Sequence, residues 1–251
     1  MILRRVIEHF KKQEWTAIAL DFLIVVAGVF VGMQVTNWNE ARHDASRQRV
    51  YAERLKNDYE GIRARVSEHL KIFAEAVDGG TYILSVIEAS EAQLAGTPVD
   101  KGRMGWALDR LISNRIPPPP AATYSEMVSE GMLSGLADPA LRDRLAEYDR
   151  LLGVVSEVSR NVTDSNYQLL PILFRHFDTL TVVDDSVLSG IREDVRGYDL
   201  AGMRNDREFA VAVELVRRNA LNSLQQRRIQ MKLIDDILAL LADGPAPERA
   251  P

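Results

Sequence analysis

The feature that most constrains this chain is its longest apolar run, Trp15–Trp38, with the sequence WTAIALDFLIVVAGVFVGMQVTNW. Its apolar part is interrupted only by Asp21 and Gln34. About twenty helical residues at ~1.5 Å rise each span a hydrocarbon core of ~30 Å. A tryptophan stands at each end, and indole rings favour the headgroup layer. We therefore predict a transmembrane helix over Trp15–Trp38, with Trp15 and Trp38 as its membrane-interface anchors.

The residues around this run predict its topology. Residues 1–14 place apolar side chains on one helical face and basic ones on the other, which is typical of a helix lying in the membrane interface. The alternative is an ordinary charged flank of a signal anchor. The run is longer than the ~7–15 apolar residues of a cleavable signal peptide. Four Lys/Arg precede it and three closely follow it, which favours a cytoplasmic N-terminus only weakly. We expect a single-pass anchor in a bacterial inner membrane, with segment 1–14 cytoplasmic and the C-terminal domain periplasmic.

Small and acidic residues share one face of the predicted span. Gly28 and Gly32 form a small-xxx-small pair, which lets two helix backbones approach closely. At ~100° per residue, Asp21 falls within about 20° of the same face. A carboxylate at that depth needs a polar partner or water. Asp21, Gly28 and Gly32 therefore predict a helix–helix interface in the membrane, and the alternative is that Asp21 reaches the headgroup layer.

The chain after the span is predicted to be all-α, with a helical bundle over residues 39–243 and a disordered tail over 244–251. From Glu40 to about Val77 an apolar seam advances in alternating steps of three and four, which is typical of a helix packed along one face. We expect this helix to continue straight from the span as a stalk and to stop at Gly79-Gly80. The seam residues are Ala52, Leu55, Tyr59, Ile62, Val66, His69, Phe73 and Ala76.

Three capping signals predict where the later helices begin. Thr123 and Glu126 form a Thr-x-x-Glu capping box. Asp138-Pro139 supplies an N-cap followed by proline at the first helical position. Asn205 and Glu208 are predicted to cap the last helix. The two long helices carry the apolar stripes Leu141, Leu145, Tyr148, Leu152 and Val155, and Phe209, Val213, Val216, Ala220, Leu224, Met231, Ile234, Leu238 and Leu241.

Prolines and an irregular stretch separate these helices. Pro117–Pro120 must be extended and is predicted to be a spacer. Pro171 is expected to kink or interrupt the first long helix. Residues 179–202 are predicted to be a loop with one helical turn, and the alternative is a short strand over residues 181–183.

The border of the span resembles a known signature. Gly28 and the residues Gln34, Asn37, Trp38, Asn39 and Glu40 resemble an uncharacterised family of bacterial single-span membrane proteins, which share a Gln-x-x-Asn-Trp-Asn-Glu juxtamembrane signature. The segment 124–148 also resembles that family, in which a Ser-x-Gly-x-Leu run precedes an acidic residue and a Leu-Arg pair; here Glu130 and Gly131 occupy that run, with Met132 before Leu133. This resemblance implies a membrane location and a helical architecture. It implies no activity.

Composition and motifs exclude several functions. The net charge of −5 gives no basic surface for nucleic acid, and the absence of cysteine excludes disulfides and thiolate chemistry. Glu40 and His43 have the spacing of a di-iron motif, but the second motif such a site needs is missing. His69 is predicted to be a packed histidine satisfied by a neighbour, and the alternative is a pH-sensitive position. We expect no metal and no cofactor.

These observations predict a membrane-anchored interaction or scaffold protein rather than an enzyme. Its expected partners are membrane lipid and either a second copy of the chain or another membrane protein. The alternative is a periplasmic helical-bundle sensor that acts through a partner protein. A third possibility, an enzyme, has no acid–base or nucleophile arrangement in the sequence to support it.

Overall fold

The structure, a computed structural model, describes residues 15–96, 99–136, 138–183 and 191–243. Within these ranges it does not describe the side chains of residues 15–19, 21, 41, 44, 45 and 191–193. The predicted amphipathic segment 1–14 and the tail 244–251 lie outside the described residues. The chain forms two compact units, Met1–Ala52 and Glu53–Pro251.

Helices dominate the described chain, as the all-α prediction requires. The described residues form seven α-helices and one 3-10 turn, joined by short segments, and one β-hairpin interrupts them. The elements in order are α1 (Trp15–Glu88), α2 (Glu91–Gly96), α3 (Lys101–Ile112), α4 (Ala122–Ser129), the 3-10 turn (Met132–Gly135), α5 (Pro139–Phe174), β1 (Phe177–Val183), β2 (Ile191–Tyr198), α6 (Leu200–Asn205) and α7 (Arg207–Asp243).

The described part of the first unit is the N-terminal portion of α1. One stretch of it, Phe22–Glu40, is long and apolar enough to cross a membrane, and none of it is buried inside the protein. This stretch overlaps the predicted span. Helix α1 has no turn at residues 37–40. The apolar stretch is therefore part of the helix Trp15–Glu88, and its predicted continuation as a straight stalk stays a prediction.

In the second unit, α1 buries the predicted seam. Leu55, Tyr59, Ile62, Val66, His69, Phe73 and Ala76 are all buried. Helix α7 runs in the opposite direction beside it, because Arg63 pairs with Asp235 at 2.7 Å near one end and Gly80 lies against Arg217 near the other. Alternating steps of three and four thus identified the face of α1 that this unit covers.

The predicted stop at Gly79-Gly80 is wrong, since α1 continues to Glu88. A Cβ at Gly79 would lie 2.5 Å from the main-chain oxygen of Ala107 in α3. A Cβ at Gly80 would lie 2.8 Å from Cβ of Arg217 in α7. These two glycines are therefore positions where α3 and α7 approach the backbone of α1, and they do not end the helix.

One of the three predicted caps is confirmed. The Asp138 carboxylate accepts a hydrogen bond from the backbone N–H of Ala140 at 2.8 Å, and Pro139 begins α5. The predicted stripe of α5 is buried throughout, from Leu141 to Val155. Pro171 lies inside α5 and does not interrupt it.

The other two caps are wrong. Helix α4 begins after Ala121, and the N–H of Thr123 donates to the carboxylate of Asp58, which belongs to α1. Glu126 pairs instead with Arg54. Helix α7 is capped by Asp206, whose carboxylate accepts from the N–H of Phe209 at 3.0 Å.

The prediction of a loop over residues 179–202 is also wrong. Strands β1 and β2 pair antiparallel from Phe177 with Tyr198 to Val183 with Ile191, with an irregularity between Asp178 and Thr179. The hairpin is held mainly at its base, where Phe177 joins the core. Most of the β1 side chains beyond Phe177 are exposed, so the sequence carries only a weak strand pattern.

The second unit has a defined apolar core at one end. It is made by the end of α1 with α3, the end of α5, the hairpin base, α6 and the start of α7. Its buried members are Ile83, Val86, Ile87, Met104, Ala107, Leu108, Leu111, Leu173, Phe177, Met203, Phe209, Ala212, Val213 and Val216.

Candidate functional site

The predicted membrane interface is exposed in the single chain. Apart from the neighbouring backbone of α1 itself, no atom of the described chain lies within 4 Å of the position that a Cβ would take at Gly28 or at Gly32. The helix backbone is described at Asp21 and Trp15, but their side chains lie outside the described ones. The two glycines therefore present an open backbone surface on α1.

The juxtamembrane signature residues lie on the exposed surface of α1. Gln34, Asn37, Trp38, Asn39 and Glu40 are all exposed. The Trp38 ring is 62% exposed, and the guanidinium of Arg42 stands 4.8 Å from its centroid. An indole beside a cation suits the border between hydrocarbon and headgroups.

A second site, which sequence reasoning missed, is a polar layer buried in the second unit. We define the polar layer as His69 of α1, Tyr148 and Ser159 of α5, and Arg227 and Gln230 of α7. Arg227 and Gln230 are 0% exposed and His69 is 8% exposed. Fully buried arginine is rare because removing a guanidinium from water is costly unless a charge compensates it.

Only some of the guanidinium N–H groups of Arg227 have hydrogen-bond partners in the polar layer. Nη1 of Arg227 donates to Oε1 of Gln230 and Nη2 donates to Oγ of Ser159, both at 3.5 Å, the outer limit of a hydrogen bond. Gln230 in turn donates to the Tyr148 hydroxyl at 2.9 Å. Nε of Arg227 and Nδ1 of His69 are buried without a hydrogen-bond partner among the described residues.

The positive charge of Arg227 in the polar layer is not balanced by a carboxylate of the described chain. No carboxylate in the described chain forms an ion pair with Arg227, and its guanidinium stands 5.8 Å from the centroid of Phe73. Burial lowers the pKa of Arg227 to about 10, so it remains charged at neutral pH. Burial, together with the charges of Arg227, Arg115 and Arg65, lowers the pKa of His69 to about 4. His69 is therefore neutral at pH 7.

The extended segment before α4 brings another cation to this layer. The side-chain amide of Asn114 donates to the Thr163 hydroxyl, and that hydroxyl donates to the carbonyl of Ser159. Arg115 is half-buried next to Asn114 and acts on His69 through its charge. Residues 117–120 form neither helix nor strand, and the extended spacer stays a prediction. The segment before them holds Arg115 in a half-buried position.

A separate polar cluster has a structural role at the start of α7. The Asp206 carboxylate accepts from Nε2 of His176 and from Arg175, each at 2.8 Å, in addition to capping Phe209. These contacts, led by His176, hold the pKa of Asp206 well below its usual range. A Cβ at Gly202 would lie 2.7 Å from Nδ1 of His176. The cluster joins the hairpin base to α6 and α7.

A surface cleft of about 410 Å³ lies between α3 and β2. It combines the partly exposed Trp106 ring with charges of both signs. Its lining residues are Lys101, Gly102, Gly105, Trp106, Asp109, Arg110, Asp194 and Val195. Among the described residues no group of three His, Asp or Glu side chains is placed to hold a metal ion.

One sequence signal could have located the polar layer. The predicted apolar stripe of α7 has its longest gap between Leu224 and Met231, and the buried positions in this gap are Arg227 and Gln230. Three stripe residues assigned to the core are only partly buried, namely Met231, Leu238 and Leu241. A gap filled by polar residues in an otherwise apolar stripe, facing a histidine in the seam of α1, indicates a buried polar site.

Comparison with known proteins gives no match: no protein-family model, curated protein sequence or solved structure matches the chain. The resemblance to a juxtamembrane family thus stays a prediction. Inference about function has to come from the two sites themselves.

Proposed function

We propose that this protein is a membrane-anchored interaction or scaffold protein of a bacterial inner membrane, which self-associates or joins a membrane complex through α1. The observation that carries this proposal is the stretch Phe22–Glu40, of which nothing is buried inside the chain. The proposed orientation places the N-terminus in the cytoplasm and the helical bundle in the periplasm, with the exposed part of α1 beyond the membrane acting as a stalk.

The chemistry of the exposed surface supports association within the membrane. Helices in lipid associate mainly by close van der Waals packing, and small residues permit it. Gly28 and Gly32 leave one open face of α1, and Asp21 falls on that face by helical spacing. A carboxylate there gains a hydrogen-bonding partner when a second helix packs against it.

The test is self-association of the full chain in lipid bilayers, measured by energy transfer between labelled copies. We expect Gly28→Leu and Gly32→Leu each to weaken association about tenfold, since loss of close packing is worth on the order of 1–2 kcal/mol. Asp21→Asn is expected to do less harm than Asp21→Leu, because an amide still forms hydrogen bonds.

Matched controls are Val29→Leu and Phe30→Leu. Both side chains are exposed in the single chain, yet they lie roughly 100–200° around the helix from Gly28. Equal effects at the glycine and control positions, or no effect at any of them, would show that this face of α1 carries no association. Reporter fusions after Ala242 test the orientation, and activity only in the cytoplasm would reverse it.

A second candidate function, sensing by the helical domain through a partner protein, is favoured by the polar layer. A buried cation without a carboxylate is a usual arrangement for binding a negatively charged ligand and an unusual one for stability alone. The test is mass spectrometry of small molecules released when the purified full chain is denatured. Recovery of a stoichiometric small molecule supports sensing, and its consistent absence across growth conditions contradicts it.

A further inference from the structure

We propose that the polar layer is a binding site for a small organic carboxylate, held by the guanidinium of Arg227. The inference names the ligand class for the sensing candidate and rests on it. It is independent of whether α1 associates in the membrane.

The free edge of Arg227 has the geometry that a carboxylate requires. Nη1 is directed to Gln230, whereas Nε has no partner in the described chain and Nη2 has only the 3.5 Å contact with Ser159. Nε and Nη2 form one edge of the guanidinium fork, and two parallel N–H donors match the two oxygens of a carboxylate. The protein therefore leaves a complete bidentate donor edge without a strong acceptor.

The polar layer also contains neutral groups with protons to donate. The Tyr148 hydroxyl accepts from Gln230, so its own proton remains available to an incoming oxygen. Nδ1 of His69 is also unpaired, and a neutral imidazole can carry its proton there. With Ser159, these groups offer hydrogen bonds that an anion would accept.

The positive charges of the region favour an anion over a neutral ligand. Arg227, Arg115 and Arg65 all act on His69, and none of the three forms an ion pair with a described residue. An anion would supply the missing counter-charge in a medium where Coulomb interactions are strong. Arg115 is half-buried in residues 113–121, which form neither helix nor strand.

Apolar neighbours favour an organic carboxylate over an inorganic oxyanion. The Phe73 ring lies beside the guanidinium, and Val155 and Leu224 are buried in the adjoining turns of α5 and α7. The short hydrocarbon chain of an organic acid can pack against such side chains while its carboxylate binds Arg227. Sulfate and phosphate have no hydrocarbon chain, and their removal from water costs more free energy.

The experiment measures thermal unfolding of the full chain in detergent micelles, with sodium butyrate as the probe. Sodium sulfate and sodium chloride at equal ionic strength are the comparison salts. We expect butyrate to raise the unfolding temperature in a saturable manner, by several degrees at concentrations far above its Kd. Sulfate is expected to have a smaller effect, and chloride none beyond ionic strength.

Variants assign the response to the site. Arg227→Met is expected to abolish it while leaving the empty protein at least as stable as the original, because an uncompensated buried charge is removed. Arg115→Gln, on the half-buried segment, is expected to raise the Kd for butyrate several-fold and serves as a second variant should Arg227→Met fail to fold. Arg228→Gln is the matched control, since Arg228 is the exposed neighbour on α7.

Each outcome bears on the proposal. A saturable butyrate effect that needs Arg227 and Arg115 but not Arg228 supports it. An unsaturable effect, no effect, or an equal effect in all variants overturns it and makes Arg227 a structural cation. An equal, Arg227-dependent effect of sulfate overturns the assignment to organic carboxylates. Release of a ligand that is not a carboxylate from the purified protein would keep the sensing candidate and reject this inference.

Discussion

Replacing Gly79 by alanine tests whether the two adjacent glycines of α1 are close-approach positions or helix-ending residues. Gly79 lies inside α1, where alanine is intrinsically favoured over glycine by ~1 kcal/mol. The added Cβ would meet the backbone oxygen of Ala107 at 2.5 Å, a distance that side-chain rotation cannot relieve. Helix α3 must then move, and overpacking of this kind costs about 1–3 kcal/mol.

The control is Gly61→Ala in the same helix. Nothing lies within 4 Å of a Cβ at Gly61, so this variant gains the helical preference without a clash. We expect Gly61→Ala to raise the free energy of unfolding by about 1 kcal/mol. The free energy of unfolding of Gly79→Ala should be lower than that of Gly61→Ala by the full overpacking cost of ~1–3 kcal/mol. Gly80→Ala should also fall below Gly61→Ala, because its nearest contact is Cβ of Arg217 at 2.8 Å, an atom fixed to the backbone of α7.

The assay is thermal and denaturant unfolding of the full chain in detergent, followed by helical circular dichroism. One kcal/mol corresponds to about 2–4 °C in the unfolding temperature for a domain of this size. If Gly79→Ala is stabilised as much as Gly61→Ala, α3 does not approach α1 as the structure shows, and the close-approach explanation is wrong.

Two further predictions concern single side chains of the second unit. Because burial and nearby arginines lower the folded pKa of His69 to about 4, the unfolded chain binds more protons than the folded one between about pH 6.5 and pH 4. The free energy of unfolding should therefore fall as pH drops through that window, by about 2 kcal/mol at pH 5. Unfolding curves of the His69→Gln variant should lack this decrease. If the variant shows the same decrease as the original chain, other groups cause it. Asp58→Ala should lower the free energy of unfolding by about 1 kcal/mol through loss of the cap on α4. Glu126→Gln should cost less, because it removes the charge from an exposed pair with Arg54, worth ~0–1 kcal/mol. A larger loss from Glu126→Gln in denaturant unfolding would restore the capping box as the explanation.

Local signals in the sequence predicted the helices well. The seam from Leu55 to Ala76 is buried as its spacing indicates. Asp138-Pro139 opens α5 because an N-cap and the following turn are adjacent in the chain. The apolar stretch near the N-terminus is equally local, since length and composition alone make it able to cross a membrane.

The same local reasoning failed where a distant element supplies the partner. Thr123 and Glu126 have the spacing of a capping box, yet Asp58 and Arg54 of α1 take both roles. The β-hairpin was missed because most β1 side chains beyond Phe177 are exposed, so no alternating pattern marks that strand. At the start of α4, by contrast, the deciding contacts come from residues far away in the sequence.

Local sequence patterns were enough to predict the helical class, the apolar stretch near the N-terminus and the buried faces of α1 and α5, because composition and helical periodicity belong to neighbouring turns of one segment. The tertiary structure alone decided that Gly79 admits α3 and that Arg227 is buried without a carboxylate. Close approach and desolvation depend on which other helices lie opposite a residue. The residues that make these contacts belong to α1, α3, α5 and α7, so the contacts can be identified only once the packing of those helices is known.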